Sequence, residues 1–194
     1  AEYLFADMEK DTIEEWRDNY DNTEKYPAVL TSKGFYNIVN GTYGIGVGAS
    51  ASIPQYNLGE LNNALITLLN NPDASFDEIY CTPDFCTGAW LLNPAEVKES
   101  HKTGNGAACK LRSVIEYDKK ERCLVVKEIP YMVYTETICK ELENIINSED
   151  NIGIERFNDL TGSEPLIKIY LSKTANPEKV LKYLYNSIVF SILK

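Results

Sequence analysis

The sequence predicts an α+β fold in which helices cover one face of an antiparallel sheet. Residues 107–118 and 119–131 alternate apolar and polar side chains on either side of a charged turn, which is typical of a β-hairpin. Residues 151–173 carry a second pair of strand patterns around the turn Thr161-Gly162-Ser163. Helical patterns precede, separate and follow the two strand pairs, so the second half of the chain is expected to alternate helices with hairpins.

Three segments of the second half carry helical signals. Residues 93–101 place Pro94 in the first turn of a short helix, where proline is favoured. Residues 135–149 put Thr135 at the N-cap and gather isoleucine and leucine side chains on one side. Residues 176–194 have a proline near their start and stay apolar to the last residue, so a helix is expected throughout.

The first half is less regular. Residues 3–16 carry an approximate helical stripe, residues 18–27 are typical of a polar loop, and residues 28–41 favour an irregular strand over a helix. A clear helix then follows. Asn57 is its expected N-cap, leucines line one of its faces, and Asn71 followed by proline ends it.

The composition is that of a soluble globular protein, with 44% hydrophobic and 25% charged residues and no apolar run long enough to span a membrane. The acidic first residues do not resemble a signal peptide. Five cysteines, an odd number without a C-x-x-C pair, indicate reduced cytosolic thiols. Because His101 is the single histidine, neither a zinc site nor Cys-His catalysis is indicated.

Charge is spread unevenly along the chain. The net charge of −10 argues against nucleic-acid binding by the chain as a whole. Residues 1–30 hold nine acidic and three basic residues, whereas residues 98–127 hold eight basic and four acidic ones. The second segment is therefore either a basic face that meets phosphate groups or an ordinary solvated face of a sheet.

Four glycines stand in the stretch NGTYGIGVGASASIP, residues 40–54. A Walker loop requires a lysine after its glycines, and a dinucleotide fingerprint requires a helix that opens at them. Here no lysine follows, and Pro54 intervenes before the helix that begins near Asn57. Nucleotide binding is therefore disfavoured, since the helix N-terminus that would bind pyrophosphate is missing.

The alternation of glycine with Ile45 and Val47 indicates a strand instead. Glycine in a strand marks the close approach of another backbone or of a ligand. Isoleucine is among the side chains that DNA-bending proteins insert between base steps, so Ile45 is a candidate wedge. The alternative, which composition alone favours, is that Ile45 packs in the core.

Longer motifs identify a family. YDNTEKYPAVLTSKGFYNIVNGTYGIGVGASASIPQYNLGEL is similar to Y-D-G-x-x-x-x-P-x-V-L followed by L-V-N-G-[ST]-x-G-I-[AG]-V-G-M-A-T-[NS]-I-P-P-x-N-L-x-E. TPDFCTGA, HKTGNGAACKLRS and VVKEIPYMV follow in order and are similar to G-P-D-F-P-T-G-G, Y-x-T-G-[RK]-G-x-[ILV]-x-[ILV]-R and V-[VT]-E-I-P-[YF]-[QM]-V. The chain resembles the A subunit of bacterial type IIA DNA topoisomerases, gyrase and topoisomerase IV.

The resemblance implies the tower part of the breakage–reunion subunit, in which a glycine-rich ribbon faces DNA. The family's wedge isoleucine, which bends the DNA, corresponds to Ile45. The implied DNA-binding residues are Ile45, Thr42, Gly44, Lys33, Lys98, Lys102, Lys110 and Arg112. Lys110 and Arg112 are two apart on a predicted strand, so their side chains are expected to share one face. Asn105 stands where the family has a basic residue, and Ala89 replaces the last glycine of its P-D-F-P-T-G-G motif.

The resemblance also implies that the parent protein is an ATP-dependent DNA topoisomerase. The family's tyrosine nucleophile lies in an R-Y-[TS] motif before the matched region, so no catalytic residue is expected in this chain. Tyr134-Thr135-Glu136 resembles that motif superficially, but Val133 stands in place of Arg, and Tyr134 is expected to enter a helix. No cofactor or metal is expected on this chain, because Mg²⁺ and ATP are expected through a partner B subunit.

The implied partners are double-stranded DNA, the B subunit, and another copy of the parent protein within a heterotetramer. The chain alone is expected to be monomeric, without a membrane contact, and to work in the cytoplasm of a bacterium or a phage-infected cell. The implied division is an N-terminal tower part at 1–92, an α+β sheet subdomain at 93–176 and the start of an arm helix at 177–194. The alternatives are a free-standing DNA- or topoisomerase-binding module and a small-molecule enzyme that uses the glycine loop and a cysteine.

Overall fold

The computed structural model describes residues 13–29, 34, 36–47, 49–149, 151–187 and 190–193. The chain forms two compact units, residues 1–83 and residues 84–194. Within the described segments, no helix is both long and apolar enough to cross a membrane. The division at residues 92 and 176, which rests on the family resemblance, stays a prediction.

The described residues of the first unit form two hairpins and three helices. In chain order these are β1 (Trp16–Asp18), β2 (Lys25–Pro27), α1 (Tyr36–Val39), β3 (Thr42–Gly46), β4 (Ala49–Ile53), α2 (Leu58–Asn70) and α3 (Phe76–Ile79). β1 pairs with β2 and β3 with β4, both antiparallel. Ile13 and Pro83 are the only side chains classed as buried among the described residues of this unit, and this described part therefore has little core of its own.

The helix expected after Asn57 is confirmed. The Asn57 Oδ1 accepts hydrogen bonds from the backbone N–H groups of Gly59 (2.9 Å) and Glu60 (3.3 Å), which satisfies two of the unpaired donors at the helix start. α2 ends at Asn70, immediately before the predicted Asn71 stop. This element is defined by local signals, and the sequence therefore predicts it well.

Three other predictions for the first unit need correction or lie beyond the structure. The strand expected over residues 28–41 is wrong at α1, because the turn closes on itself through a bond from the Asn40 N–H to the Tyr36 carbonyl (2.8 Å). The loop expected over residues 18–27 is wrong at its ends, which pair as β1 and β2. Most of the helix expected over residues 3–16 lies outside the described residues, and Trp16 begins a strand.

The second unit contains two sheets. Its elements are β5 (Trp90–Leu91), α4 (Pro94–Thr103), β6 (Lys110–Arg112), β7 (Val114–Asp118), β8 (Cys123–Glu128), α5 (Thr135–Asn147), β9 (Ile154–Asp159), β10 (Ile167–Leu171), α6 (Pro177–Asn186) and β11 (Ser191–Leu193). The larger sheet is antiparallel, in the order β7-β8-β10-β9, and the smaller one has the order β11-β6-β5. The α+β fold and both predicted hairpins are confirmed.

Helices α5 and α6 complete the main core of this unit. Both helices bury residues at the three- and four-residue spacing that defines one helical face. The buried cluster that they form with the larger sheet includes Ile138, Leu142, Ile145, Val180, Leu184, Leu124, Val126, Ile167 and Ile169. Truncating such a side chain to alanine typically costs about 2–5 kcal/mol, so this cluster dominates the stability of the second unit.

The helix expected to continue to residue 194 is wrong beyond Asn186. The chain turns there and returns as β11, which pairs with β6 and sets Ser191 opposite Arg112. Phe190 is fully buried, and its carbonyl accepts a hydrogen bond from the Ser113 N–H (3.0 Å). The apolar end of the segment is therefore explained by burial and strand pairing, which a helical pattern does not reveal.

Glu128 fixes the loop that leads into β5. Its Oε2 accepts a hydrogen bond from the Ala89 N–H at 2.7 Å. Gly88 has a φ of +72°, and a Cβ at this position would collide with the Glu128 carboxylate. Ala89 also has a positive φ, +79°, where an L-residue carries strain that glycine does not. Ala89 therefore carries a backbone strain that glycine at this position would avoid.

Replacing Ala89 by glycine should stabilise the protein. Relief of the left-handed strain outweighs the added flexibility of the unfolded chain, so we expect the free energy of unfolding to rise by about 0.5–1 kcal/mol in urea titrations. Ala95→Gly in helix α4 is the matched control and should lower it by about 1 kcal/mol. A lower free energy of unfolding in Ala89→Gly would contradict the conclusion that Ala89 is strained.

Candidate nucleic-acid interface

Strands β3 and β4 form a ribbon with no third strand among the described residues. Gly46 pairs with Ala49, which places Val47 at the tip, and Ile45 pairs with Ser50. Ile45 is 78% exposed and Val47 is completely exposed. The composition-based alternative, in which Ile45 packs in the core, is therefore wrong.

The two faces of the ribbon differ. Because successive side chains of a strand point to opposite faces, Tyr43 and Ile45 project from one face. Gly44 and Gly46 occupy two of the three β3 positions of the other face, and Thr42, at the base of the ribbon, occupies the third. Beyond Thr42, β3 therefore carries side chains on one side only, which makes this part of the ribbon thin.

The base of the ribbon is fixed to the segments around it. Thr42 Oγ1 donates a hydrogen bond to the Asn37 carbonyl (3.0 Å), and Gln55 Nε2 donates one to the Asn40 carbonyl (3.0 Å). Gly41 enters the ribbon with a φ of +70°, and a Cβ there would lie 2.8 Å from the Ile53 carbonyl oxygen. The predicted contact residue Thr42 therefore already uses its hydroxyl proton within the protein.

Gly44 is in a different situation from Gly41. A Cβ at position 44 would meet no atom within 4 Å, and its φ is not in the left-handed region. The fold itself therefore does not require glycine at 44.

The predicted cationic contacts lie in the second unit, apart from Lys33, which is outside the described residues. Lys98 and Lys102 stand one turn apart on α4; Lys102 is exposed and Lys98 is half-buried. Lys110 is exposed on β6, and its Nζ lies 3.3 Å from Glu96 Oε2. Thus the sequence-predicted contacts fall into two groups, one on the ribbon and one on α4 and β6.

The loop between α4 and β6 is closed by Asn93. Its Nδ2 donates to the Ala108 carbonyl (2.9 Å) and to Glu96 Oε2 (2.8 Å), and its Oδ1 accepts from the Lys110 N–H (2.8 Å). Hydrogen bonds from Asn93 and Lys110 lower the pKa of Glu96, so its carboxylate is ionised at neutral pH and offsets the charge of Lys110. This network holds the start of β6 in place.

Arg112 does not resemble an open phosphate contact. Its side chain is half-buried, and the guanidinium carbon lies 4.8 Å from the centre of the Tyr185 ring. The Nε is buried and makes no hydrogen bond within the described structure. Lys110 and Arg112 are two apart on β6, as predicted, but their surroundings differ, because α6 supplies an aromatic partner for Arg112.

The structure gives little support to a catalytic role for the cysteines. Cys109 and Cys123 are buried, and burial raises the pKa of both thiols. Burial and the nearby negative charge of Asp159 raise the pKa of Cys139 to about 11, and its Sγ donates to Asp159 Oδ2 at 3.8 Å. Since a catalytic thiol needs a lowered pKa, these cysteines are poor nucleophiles.

One group of side chains has metal-ligand chemistry. Ligand atoms of Asp118, Glu121 and Cys123 lie within 4.8 Å of one another. However, Lys168 Nζ forms an ion pair with Glu121 at 2.7 Å, and Asp118 Oδ1 accepts from the Lys120 N–H at 2.8 Å. The carboxylates therefore serve the β7–β8 turn and its neighbour β10.

These observations define a class of protein first: an α+β protein that presents a thin, uncharged β-ribbon with exposed apolar side chains. Comparison with known families then gives the particular one. The profile of the family described as the A subunit of DNA gyrase/topoisomerase IV matches residues 1–192. This chain belongs to that family.

Individual relatives agree with this assignment. The chain is 35% identical over 193 residues to the DNA gyrase A subunit of Mycoplasma genitalium, covering 96% of this chain and 23% of the relative. It is 36% identical over 194 residues to the DNA topoisomerase 4 A subunit of Streptococcus pneumoniae, covering 95% and 23%. With the DNA gyrase A subunit of Thermotoga maritima, identity is 35% over 190 residues, covering 95% and 24%. The chain thus spans about a quarter of the length of these relatives.

Alanine at the two ribbon glycines should have different effects on stability. Gly41→Ala should lower the free energy of unfolding by more than about 1 kcal/mol, because it places a strained Cβ against the Ile53 carbonyl. Gly44→Ala should leave stability unchanged or slightly raised, because a Cβ there meets no atom within 4 Å. Thermal melts of the two variants measure the difference. Equal effects of both substitutions on stability would contradict the different environments of the two glycines.

Thiol reactivity should follow exposure and local charge. At pH 8, iodoacetamide should modify the exposed Cys86 faster than Cys139, as followed for each cysteine by mass spectrometry. Asp159→Asn should speed Cys139 alkylation several-fold at pH 9, because removing the negative charge lowers the thiol pKa. Glu164→Gln, in the β9–β10 turn, is the control and should have no effect. An equal alkylation rate of Cys139 in Asp159→Asn and in the unmodified protein would refute the electrostatic effect of Asp159 on this thiol.

Proposed function

We propose that this chain is the DNA-binding and DNA-bending portion of a type IIA topoisomerase A subunit. The observation that carries the proposal is Ile45, an aliphatic side chain that is 78% exposed on a glycine-bared ribbon. An aliphatic residue in this setting gains nothing from its own fold. Family membership supplies the partner, because gyrase and topoisomerase IV act on DNA.

Insertion of Ile45 between base pairs would kink the duplex toward the major groove. Unstacking one base step costs a few kcal/mol, which is offset by burial of the side chain and by the backbone contacts that a bent duplex allows. The minor groove is only about 6 Å wide, and two glycines on the face opposite Ile45 reduce the bulk of the ribbon that would enter it. Recognition of this kind depends on the deformability of the DNA and not on its sequence.

The lysines of α4 and β6 would hold the phosphates. Lys102 is the best placed of them, because it is exposed and lies in the last turn of its helix. Lys110 would have to exchange its ion pair with Glu96 for a phosphate, which reduces its net contribution. A chain of net charge −10 binds DNA only through such local cations, so its affinity should fall steeply with salt.

Catalysis would belong to the rest of the parent enzyme. Tyr134 occupies the N-cap position of α5, which supports its assignment as a helix-entry residue and not as a nucleophile. We therefore assign the tyrosine that cuts DNA to a segment outside this chain, and Mg²⁺ and ATP to a partner B subunit. The parent would be an ATP-dependent topoisomerase in which two A subunits assemble with two B subunits in the cytoplasm.

Two substitutions should divide the binding into its physical components. In the complete A subunit, Ile45→Ala should reduce DNA bending, measured by energy transfer between duplex ends, and reduce DNA cleavage, while the dependence of affinity on salt stays the same. Lys102→Ala should keep the bend but lower the slope of log affinity against log salt by about 0.9, the value for one lost phosphate contact. The first removes an apolar wedge and the second removes a charge.

Leu69→Ala is the matched control for the wedge. Leu69 is also an aliphatic residue of the first unit and is 73% exposed, but it lies on α2 and not on the ribbon. The Leu69→Ala protein should bend and cleave DNA like the unmodified protein. Unchanged bending and cleavage in Ile45→Ala would overturn the wedge assignment, and salt-independent binding would overturn the phosphate contacts.

A further inference from the structure

We propose that Tyr43 is a second DNA-contacting residue of the ribbon, which lies in the minor groove about two base pairs from the step that Ile45 opens. This inference rests on the proposed function, since it assumes that the ribbon meets duplex DNA. It adds a contact at a position that is variable in the family motif, L-V-N-G-[ST]-x-G-I, where this chain carries tyrosine.

The backbone places Tyr43 and Ile45 on the same side of the ribbon. They are two residues apart in β3, and the pairing of Tyr43 with Ser52 and of Ile45 with Ser50 keeps the strand regular through both. Tyr43 is 67% exposed. Any duplex that receives Ile45 therefore meets the Tyr43 ring as well.

The spacing fits the repeat of DNA. Residues two apart on an antiparallel strand are separated by about 6.8 Å, since each residue advances about 3.4 Å. Base pairs also advance about 3.4 Å each along the duplex axis. A ribbon that follows the groove thus carries Tyr43 about two base pairs away from Ile45.

The fold makes no other use of this side chain. Tyr43 belongs to neither buried cluster, and its hydroxyl makes no hydrogen bond to the residues that the structure describes. An amphipathic ring of this kind can lie against deoxyribose while its hydroxyl donates to an acceptor on the groove floor. The minor groove offers such acceptors, adenine N3 and thymine O2. Because the phenol is neutral, this contact adds affinity without adding salt dependence.

The experiment uses the full chain and a duplex whose single mismatched base pair fixes the position of the kink. 2-Aminopurine beside the mismatch brightens when the step is opened, which reports on Ile45. Dimethyl sulfate methylates adenine N3 in the minor groove, so protection of an adenine two base pairs away reports on Tyr43. Anisotropy at several salt concentrations gives the affinity and its salt slope.

Tyr43→Ala should weaken binding about tenfold at every salt concentration, leave the slope and the 2-aminopurine signal unchanged, and expose the adenine N3 to methylation. Tyr43→Phe, which keeps the ring, should lose only about threefold. Tyr26→Ala, a change at an exposed tyrosine on β2, is the control and should match the unmodified chain.

Three outcomes have distinct meanings. If Tyr43→Ala binds and protects the adenine like the unmodified chain, while Ile45→Ala loses the 2-aminopurine signal, the inference on Tyr43 fails and the proposed function stands. If Tyr43→Ala loses affinity only through a smaller salt slope, its effect is electrostatic and the inference also fails. If the unmodified chain opens no step, both are overturned.

Discussion

Gly41 holds the backbone at a φ of +70° between α1 and β3, and the position of the ribbon follows from this turn. A Cβ at this position would lie only 2.8 Å from the Ile53 carbonyl oxygen, and the hydrogen bonds of Thr42 and Gln55 close the base of the ribbon on either side. The ribbon thus projects from a fixed base, although few of the side chains around it are buried. Its apolar residues are held out in solvent by main-chain geometry.

The two units differ in the way they are stabilised. The second unit has a continuous core in which α5 and α6 pack on a four-stranded sheet. The described part of the first unit buries few side chains and depends on turns, caps and short hairpins. A unit of this kind opens locally at a lower free energy than a packed core does, and surfaces that bind ligands are commonly drawn from such regions. A binding ribbon on the first unit is consistent with this distribution of stability.

The sequence predicts those elements whose signals are local. The Asn57 cap, the prolines that begin α4 and α6, and the alternation of β7 and β8 each lie within the element that they define. Prediction from sequence fails where contact with a residue far away in the chain determines the secondary structure or the burial of a side chain. β11 is a strand because β6, about eighty residues earlier, offers an edge, and Arg112 is half-buried because Tyr185 lies over it. No local pattern contains either fact.

The candidate site shows the same division. Because apolar residues are usually buried, composition alone predicts that Ile45 lies in the core. Only the family resemblance predicts an exposed Ile45, and the structure shows this side chain exposed to solvent. Tyr43 could have been found from its spacing to Ile45, but an exposed tyrosine has too many ordinary explanations to be chosen from sequence alone. The ion pair of Lys110 with Glu96 joins residues on two elements, and charge counts along the chain do not reveal it.

The glycines of the ribbon have a further consequence for the protein when no DNA is bound. Thr42–Ile53 contains no charged residue, and both strands have an open edge in the described structure. Uncharged, apolar strand edges readily add a strand from another copy and thereby begin aggregation. Glycine lowers β-propensity and weakens such pairing. The same residues that keep the ribbon thin enough for a groove therefore also protect it from self-association.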